Sequence, residues 1–435
     1  MNQDAALSPS SPALPPLDLL DSPAELRRAI DEGVNGRDLP AALVFNCHIT
    51  GLAVARALGA HGVPVIGLDR DPRGLGLASR HTAVRARLPS PLDDEDAFVA
   101  RLLQIGALLD QRGVLFPAND EWVLGVGRHR ARLEEYFHIP TADEATVERI
   151  LDKATLYSAA QQLGVPVPRT WDLAEHGAAS LAREVPYPCI LKPREQRAFT
   201  EAFGVKVFTV ATPDEFMERA RQAAGRPLLA QEVIPVTPDG FHSLCAYVAP
   251  GGEPLGLFVG RKLEQYPPDF GTGCLVDSDP LPELAARGAE VLRALGYHGI
   301  AEVEFLYDPR DGEHKLLDIN TRVWKWIGLP IAAGVDLPWL AYAATTGRPV
   351  GAVAARDDHL TWVYLKDYMA LKRGGAAVNG ARHLTEQQWL SLITGWPGAA
   401  EEAGVVEAVL APDDPRPFYR LLETEMESRR YFCAC

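Results

Sequence analysis

Cysteine is scarce in this sequence. Six occur in 435 residues, at Cys47, Cys189, Cys245, Cys274, Cys433 and Cys435, and no two form a C-x-x-C pair. Most lie in apolar stretches such as Pro188-Cys189-Ile190-Leu191, which excludes a disulfide framework and fits a reducing, cytoplasmic setting. Cys433 and Cys435 form a terminal C-x-C, and two thiols on a chain end make a poor metal site. Long apolar runs are missing too. Nothing approaches the roughly 18 residues that a membrane span needs, and residues 1–40 lack the cationic start and apolar run of a signal peptide. Positive charge is in the minority, 43 Lys and Arg against 58 Asp and Glu for a net charge of -15, which argues against a general nucleic-acid binder. Two glycine-rich phosphate loops are also absent. There is no G-x-x-x-x-G-K-[ST], and the first strand–helix turn reads Asn46-Cys47-His48-Ile49-Thr50-Gly51 where a dinucleotide site would need G-x-G-x-x-G.

What is present is an ordinary globular composition, 47% hydrophobic and 23% charged, long enough for about three domains of roughly 150 residues. Residues 1–40 read as a disordered leader with a short helix over Pro23–Glu32. Residues 41–150 alternate strand and helix, with strands at Ala42–Phe45, Val63–Leu68 and Val114–Pro117, which predicts a parallel sheet covered on both faces. Residues 151–234 open with a helix over Asp152–Leu163 and continue with strands at Cys189–Lys192, Val205–Val210 and Leu228–Val233. Residues 235–350 carry strands at His242–Val248 and Leu255–Lys262, a helix at Leu281–Leu295 and a hairpin of Ala301–Tyr307 with Lys315–Asn320. Residues 351–435 read as α-rich.

The hairpin carries the clearest chemistry. Side chains alternate along a strand, so Asp318 and Asn320 share one face while Leu317 and Ile319 share the other. Glu304 on the partner strand can join them, and two carboxylates with an amide oxygen suit a hard cation such as Mg²⁺. Arg322, two positions further, falls on the same face if the strand continues, within reach of a transferring phosphate. A half-buried hairpin with a merely wet polar face is the competing reading.

Three lysines precede this hairpin at ends of elements. Lys153 lies in a helix's first turn, where the helix dipole disfavours a cation by a few tenths of a kcal/mol unless an anion lies near. Lys192 ends an apolar strand, and Lys262 ends another beside Arg261. Together they suit a polyphosphate, each close charge pair giving about 4 kcal/mol before desolvation; separately, each is a solvated strand or helix end. The extended stretch Gln231-Glu232-Val233-Ile234-Pro235 can offer backbone groups to an adenine edge. Asp239 suits ribose hydroxyls, or equally a turn before Gly240.

In this order, Asp152-Lys153, Ile190-Leu191-Lys192-Pro193, Gln231-Glu232-Val233-Ile234, Glu304 and Asp318-Ile319-Asn320-Thr321-Arg322, the sequence resembles the ATP-grasp superfamily. Gly51 with Leu68-Asp69-Arg70-Asp71-Pro72, Ala78-Ser79-Arg80-His81, Gly260 to Pro268 and Gly271-Thr272-Gly273 bring it nearest to the carboxylate–amine ligases related to D-aspartate ligase. The resemblance covers residues 41–350 and implies an α/β ATP-grasp fold: a Rossmann-like first domain, a small α+β lid, and a third α+β domain with an antiparallel sheet. It implies that Lys153 and Lys192 contact the ATP phosphates and that Gln231, Glu232, Val233 and Ile234 hold adenine. Asp239 would take the ribose, and Lys262 would approach the γ-phosphate. Glu304, Asp318 and Asn320 would bind Mg²⁺, or Mn²⁺ in its place, and Arg322 would steady the acyl phosphate. Two departures stand out: Asp318 replaces the more usual Glu, and Arg194-Glu195-Gln196-Arg197-Ala198-Phe199, expected as the lid loop, lacks glycine.

The chemistry implied is amide formation. The γ-phosphoryl group of ATP passes to a carboxylate, and an amine then displaces phosphate, with small molecules, one of them an amino acid, as the partners. Glu302, on the same face as Glu304, is a candidate contact for the amine or a purely electrostatic neighbour. Asp120, within Asn119-Asp120-Glu121, and Arg261 are candidate substrate contacts. A homodimer is compatible with all of this. The rival readings are a nicotinamide-dependent oxidoreductase, invited by the strand that ends on Asp69, and a non-catalytic ATP-binding module.

Overall fold

The computed structural model describes residues 17–194, 196–268, 270–356, 359–374, 383–394 and 404–427. The terminal pair Cys433/Cys435, most of the expected leader and Glu195 of the expected lid loop lie outside the described residues. The other four cysteines are free and buried.

Three sheets follow one another along the chain. The first is built from β1 (Ala42–Phe45), β2 (Val65–Asp69), β3 (Thr82–Arg87), β4 (Gly113–Phe116) and β5 (Phe137–His138), all parallel, in the order β3-β2-β1-β4-β5. β1 is buried at every position, as a central strand covered on both faces must be. The helix Pro23–Gly33 that precedes it buries Leu26 and Ile30 in the same core. Because β2 and β4 flank β1, the chain leaves β1 and β4 in opposite directions and opens a crevice at their carboxyl ends, where ligands of such sheets bind. The crevice is bridged by Asn46 Nδ2, which donates to Asn119 Oδ1 at 2.7 Å. A Cβ at Gly51 would lie 2.6 Å from Asn46 O, so only glycine lets the helix Ile49–Ala60 start so close to the end of β1.

The second sheet is small: β6 (Thr170–Asp172), β7 (Cys189–Pro193), β8 (Phe208–Val210) and β9 (Leu228–Glu232), antiparallel, in the order β6-β9-β7-β8. Phe199, Phe208 and Phe216 fill its core with Leu181 and Leu191. The segment after Lys192 corrects one expectation. Gln196–Phe203 is helical rather than a loop, with Phe199 anchoring it by burial.

The third sheet has eight strands. β10 (Phe241–Val248), β11 (Pro254–Tyr266), β12 (Thr272–Ser278), β13 (Gly299–Asp308) and β14 (Glu313–Asn320) are joined by β15 (Val353–Ala354), β16 (Thr361–Val363) and β17 (Val405–Glu407). The order is β14-β13-β10-β11-β12-β16-β17, with β15 on β11. The β13–β14 hairpin turns at Gly312, whose φ of 78° favours glycine and whose N–H donates to Asp308 O at 2.8 Å. Among the described residues after 350, the helices Leu365–Arg373, Glu386–Thr394 and Arg416–Glu427 are longer than the short strands β15, β16 and β17, which join the third sheet.

Candidate active site

The register of the third sheet sets the site. Glu304 lies directly opposite Asp318, and Glu302 opposite Asn320, so all four share one face. Ser243 of β10 pairs with Glu304, which puts Phe241 on that face as well, and Lys262 of β11 stands with its ammonium 4.3 Å from the Phe241 ring centre. Asn320 Nδ2 donates to Glu302 Oε2 and Glu304 Oε1, both at 2.9 Å. Burial first, then the neighbouring Glu304 carboxylate, push the Glu302 pKa well above the usual range.

Lysines from the other elements close over this face. Lys153 enters because Asp152 caps its helix, accepting from Thr155 N at 2.8 Å, which fixes the first turn against β14. Its ammonium pairs with Asp318. Lys192 at the end of β7 reaches to 3.5 Å from Tyr157 OH. Burial opposes its charge, yet Tyr157, Asp318 and Glu304 raise its pKa. Burial likewise opposes ionisation of Asp318, and Lys153 with Lys192 outweighs it, holding that carboxyl below its ordinary value. Arg322 joins from beyond β14. Its Nε donates to Asp120 Oδ1 at 2.8 Å and its Nη2 to Asp120 Oδ2 at 3.4 Å, tying the first sheet's crevice to the hairpin.

The structure thus brings together Lys153, Lys192, Lys262, Glu302, Glu304, Asp318, Asn320, Arg322 and Asp120. Others lie elsewhere. Arg261 is on the opposite face of the sheet, paired with Asp277 at 2.7 Å and Asp279 at 3.1 Å, because strand alternation turns it away from Lys262. Asp239 follows it, 3.3 Å from Arg261 Nη1, so its carboxylate is turned to that back face rather than to the acidic cluster. Glu232 is buried in a separate ion network, accepting from Arg169 N at 2.9 Å and Arg310 Nη2 at 3.0 Å. Gln231 is buried as well, its Nε2 donating to Tyr157 OH at 3.1 Å and Thr170 Oγ1 at 3.0 Å. Val233 and Ile234 lie in the connection between β9 and β10, outside any regular element.

Two residues of the site escaped the sequence reading. Tyr157 joins Lys192 and Gln231 and donates to Leu317 O at 2.9 Å; its signal was its place one helical turn after Lys153. Lys206 is exposed at the cleft mouth before β8. Partial desolvation and the charges of Lys262 and Arg322 lower its pKa against Glu304 and Asp318. Nothing in the local pattern marked it. The acid that invited an oxidoreductase, Asp69, is 5% exposed and already accepts from Cys47 N at 2.7 Å and Asp71 N at 3.0 Å, so it closes its own turn.

A hard cation fits the acidic face. Among the described residues no three His, Cys, Asp or Glu side chains could hold an ion by themselves. Glu304 and Asp318 with the Asn320 amide, whose oxygen and nitrogen exchange on a half-turn, nonetheless offer the one or two carboxylates that Mg²⁺ takes when phosphate oxygens and water complete its shell.

A parallel first sheet, a small antiparallel lid and a large, mainly antiparallel sheet, with lysines and carboxylates between the last two, make this an ATP-grasp fold. No model of a known protein family matches the chain. It is similar to the D-aspartate ligase of Enterococcus faecium, 25% identical over 247 residues that cover 53% of this chain and 59% of that one. It is also similar to a D-alanine–D-alanine ligase of Xanthobacter autotrophicus, 27% identical over 203 residues, 43% of this chain and 64% of that one. The chain spans less than two thirds of the length of these curated relatives. Among solved structures, the N5-carboxyaminoimidazole synthetase of Staphylococcus aureus aligns with TM-score 0.59 at 15% identity, over 78% of this chain and 87% of that one. The L-amino acid ligase of Bacillus licheniformis aligns with TM-score 0.54 at 18% identity, over 72% and 75%. These two likenesses establish the fold.

Proposed function

We propose that this protein is an ATP-dependent carboxylate–amine ligase that forms an amide bond through an acyl phosphate, releasing ADP and phosphate. The observation that carries the reading is the cross-strand pair Glu304 and Asp318, flanked by Asn320 and faced by Lys153, Lys192 and Lys262. The names of the two curated relatives, both ligases of amino acids, point the same way.

A carboxylate resists attack by an amine because its leaving group would be oxide. Phosphorylation replaces that with phosphate, so the protein's task is positioning and charge neutralisation. Lys153 and Lys192 hold the triphosphate from the helix and the lid, and Lys262 approaches the group in transfer. Glu304, Asp318 and Asn320 would hold Mg²⁺, which when bound neutralises phosphate charge. Arg322, held by Asp120, faces the charge that develops on the acyl phosphate and on the tetrahedral state that follows. Gln231 to Ile234 line the adenine end by their backbone, since the side chains of Gln231 and Glu232 are engaged elsewhere.

Incubation of the full chain with ATP, Mg²⁺, hydroxylamine and a panel of amino acids and other carboxylates tests this. ADP release that depends on a particular carboxylate, with a hydroxamate formed, is the expected result. Release of AMP and pyrophosphate would replace the acyl phosphate with an adenylate and overturn the proposal.

A further inference from the structure

Tyr157 sits where three elements meet. It lies four positions after Lys153 on the helix Lys153–Gln162, so both side chains leave the same helix face. Lys153 pairs with Asp318, and Tyr157 donates to the carbonyl of the neighbouring Leu317, which lays the helix along β14. Tyr157 is 4% exposed and belongs to the core that also holds Val303 and Ile319.

The direction of each hydrogen bond at its hydroxyl is fixed. A carbonyl only accepts and an ammonium only donates, so the phenolic proton points to Leu317 O at 2.9 Å and the oxygen accepts from Lys192 Nζ at 3.5 Å. Gln231 Nε2 is a second donor, at 3.1 Å. Its amide is held that way round because Thr170 Oγ1, which donates to Pro168 O, accepts from the same Nε2 at 3.0 Å. Lys192 and Gln231 stand on the two central strands of the lid, and Gln231 is opposite Ile190, two positions from Lys192, so the two share one face. A single oxygen therefore ties β14 to β7 and β9.

The tie bears on Lys192. Asp318 and Glu304, the carboxylates assigned to the metal, attract its ammonium, and a lysine stem is flexible enough to fold onto them. Asp318 already carries the Lys153 ammonium. The Tyr157 hydroxyl, and its ring with a centre 5.9 Å from Nζ, offer Lys192 a neutral resting place instead. A neutral contact at 3.5 Å is weaker than a charge-assisted bond to phosphate, so it orders the side chain without competing for it.

We propose that Tyr157 is a positioning residue that presets Lys192 for the phosphates of the nucleotide, acting through that lysine rather than on the reacting atoms. The freedom lost in ordering Lys192 is then given up on folding instead of on binding. This rests on the assignment of Lys192 to the nucleotide under the ligase reading.

Calorimetric titration of the full chain with MgADP measures this as a double-mutant cycle over the wild type, Tyr157→Phe, Lys192→Met and the two combined. Tyr157→Phe keeps the ring in its core and removes only the hydroxyl. Tyr157→Met, which also lacks it, repeats the comparison with a different filler of the same space. Tyr157→Phe weakens MgADP about five- to tenfold, the order of one flexible side chain to be immobilised. In the Lys192→Met background the same change alters affinity by no more than about twofold. A merely structural Tyr157 lowers affinity by the same factor in both backgrounds, and that result overturns the proposal, as does unchanged affinity in Tyr157→Phe. If Lys192→Met binds MgADP as tightly as the wild type, the assignment of Lys192 falls and the role of Tyr157 with it. If the coupling is found but no carboxylate elicits ADP release from ATP, the ligase reading falls and the positioning of Lys192 stands.

Discussion

Asp120 and Arg322 are 202 positions apart in sequence and meet through two hydrogen bonds, at 2.8 and 3.4 Å. Asp120 begins the helix Asp120–Arg128 at the crevice of the first sheet, and Arg322 follows the last strand of the hairpin. A fork-shaped guanidinium held by both oxygens of one carboxylate keeps its remaining donors aimed in one direction.

Asp120→Ala releases that guanidinium. We expect kcat to fall tenfold or more with the KM for ATP little changed, because Arg322 is assigned to a charge that develops during reaction. Arg322→Lys fails to restore the rate, since a point charge cannot replace the fork. Steady-state kinetics on the ADP-release assay check both; a rise in ATP KM with kcat intact contradicts the assignment.

Lys192→Ala and Asn320→Ala each reduce turnover below about a tenth of the wild-type rate, a loss of more than about 1.4 kcal/mol in transition-state stabilisation. Their thermal transitions stay close to wild type, because neither side chain belongs to a hydrophobic core. Retention of more than that tenth removes the assigned role.

Asp308 predicts the response to acid. The Arg310 guanidinium first, and the Lys315 ammonium next, hold its carboxyl far below the usual range against burial. The folded value lies below the unfolded one, so this group's stabilisation is complete above the ordinary Asp value of about 4 and is lost progressively as pH falls below it. Thermal midpoints measured from neutral pH downward decline below about pH 4 in the wild type. Asp308→Asn is less stable at neutral pH, by about 3–5 kcal/mol for a broken buried pair, and its acid slope is shallower. An unchanged slope refutes the linkage.

Asp414→Ala loosens the hold of the C-terminal segment on the first domain. Losing charge-assisted hydrogen bonds from Arg56, Ser79 and Arg80 costs about 1.5–3 kcal/mol. Denaturant unfolding checks the loss, and limited proteolysis is expected to cut first between residues 374 and 427. Stability equal to wild type shows that the clamp contributes nothing.

Much of the architecture could be read locally. Alternating Leu317, Asp318, Ile319 and Asn320 announced a strand with one acidic face, and the structure pairs it with Glu304 in the expected hairpin. The helix expected over Asp152–Leu163 is present as Lys153–Gln162, with Asp152 as its cap. The short strands β15, β16 and β17 escaped because two- or three-residue strands carry no usable periodicity and form only where a partner strand waits. The helix Gln196–Phe203 escaped because eight residues give little periodicity to read, and its buried anchor is Phe199.

What the sequence by itself determined is the longer elements and the face that polar residues occupy on them, because strand and helix periods translate spacing directly into direction. By the same rule Arg261 and Lys262, being neighbours on one strand, had to part. Only tertiary structure decided which faces meet. Lys153 reached Asp318, Arg322 reached Asp120, Tyr157 came under Lys192, and Asp239 turned to Arg261 on the back of the sheet. Those meetings depend on how the three sheets pack. Contacts made across separate elements, 35 residues apart for Tyr157 and Lys192 and 202 for Asp120 and Arg322, leave no trace in the spacing of either partner.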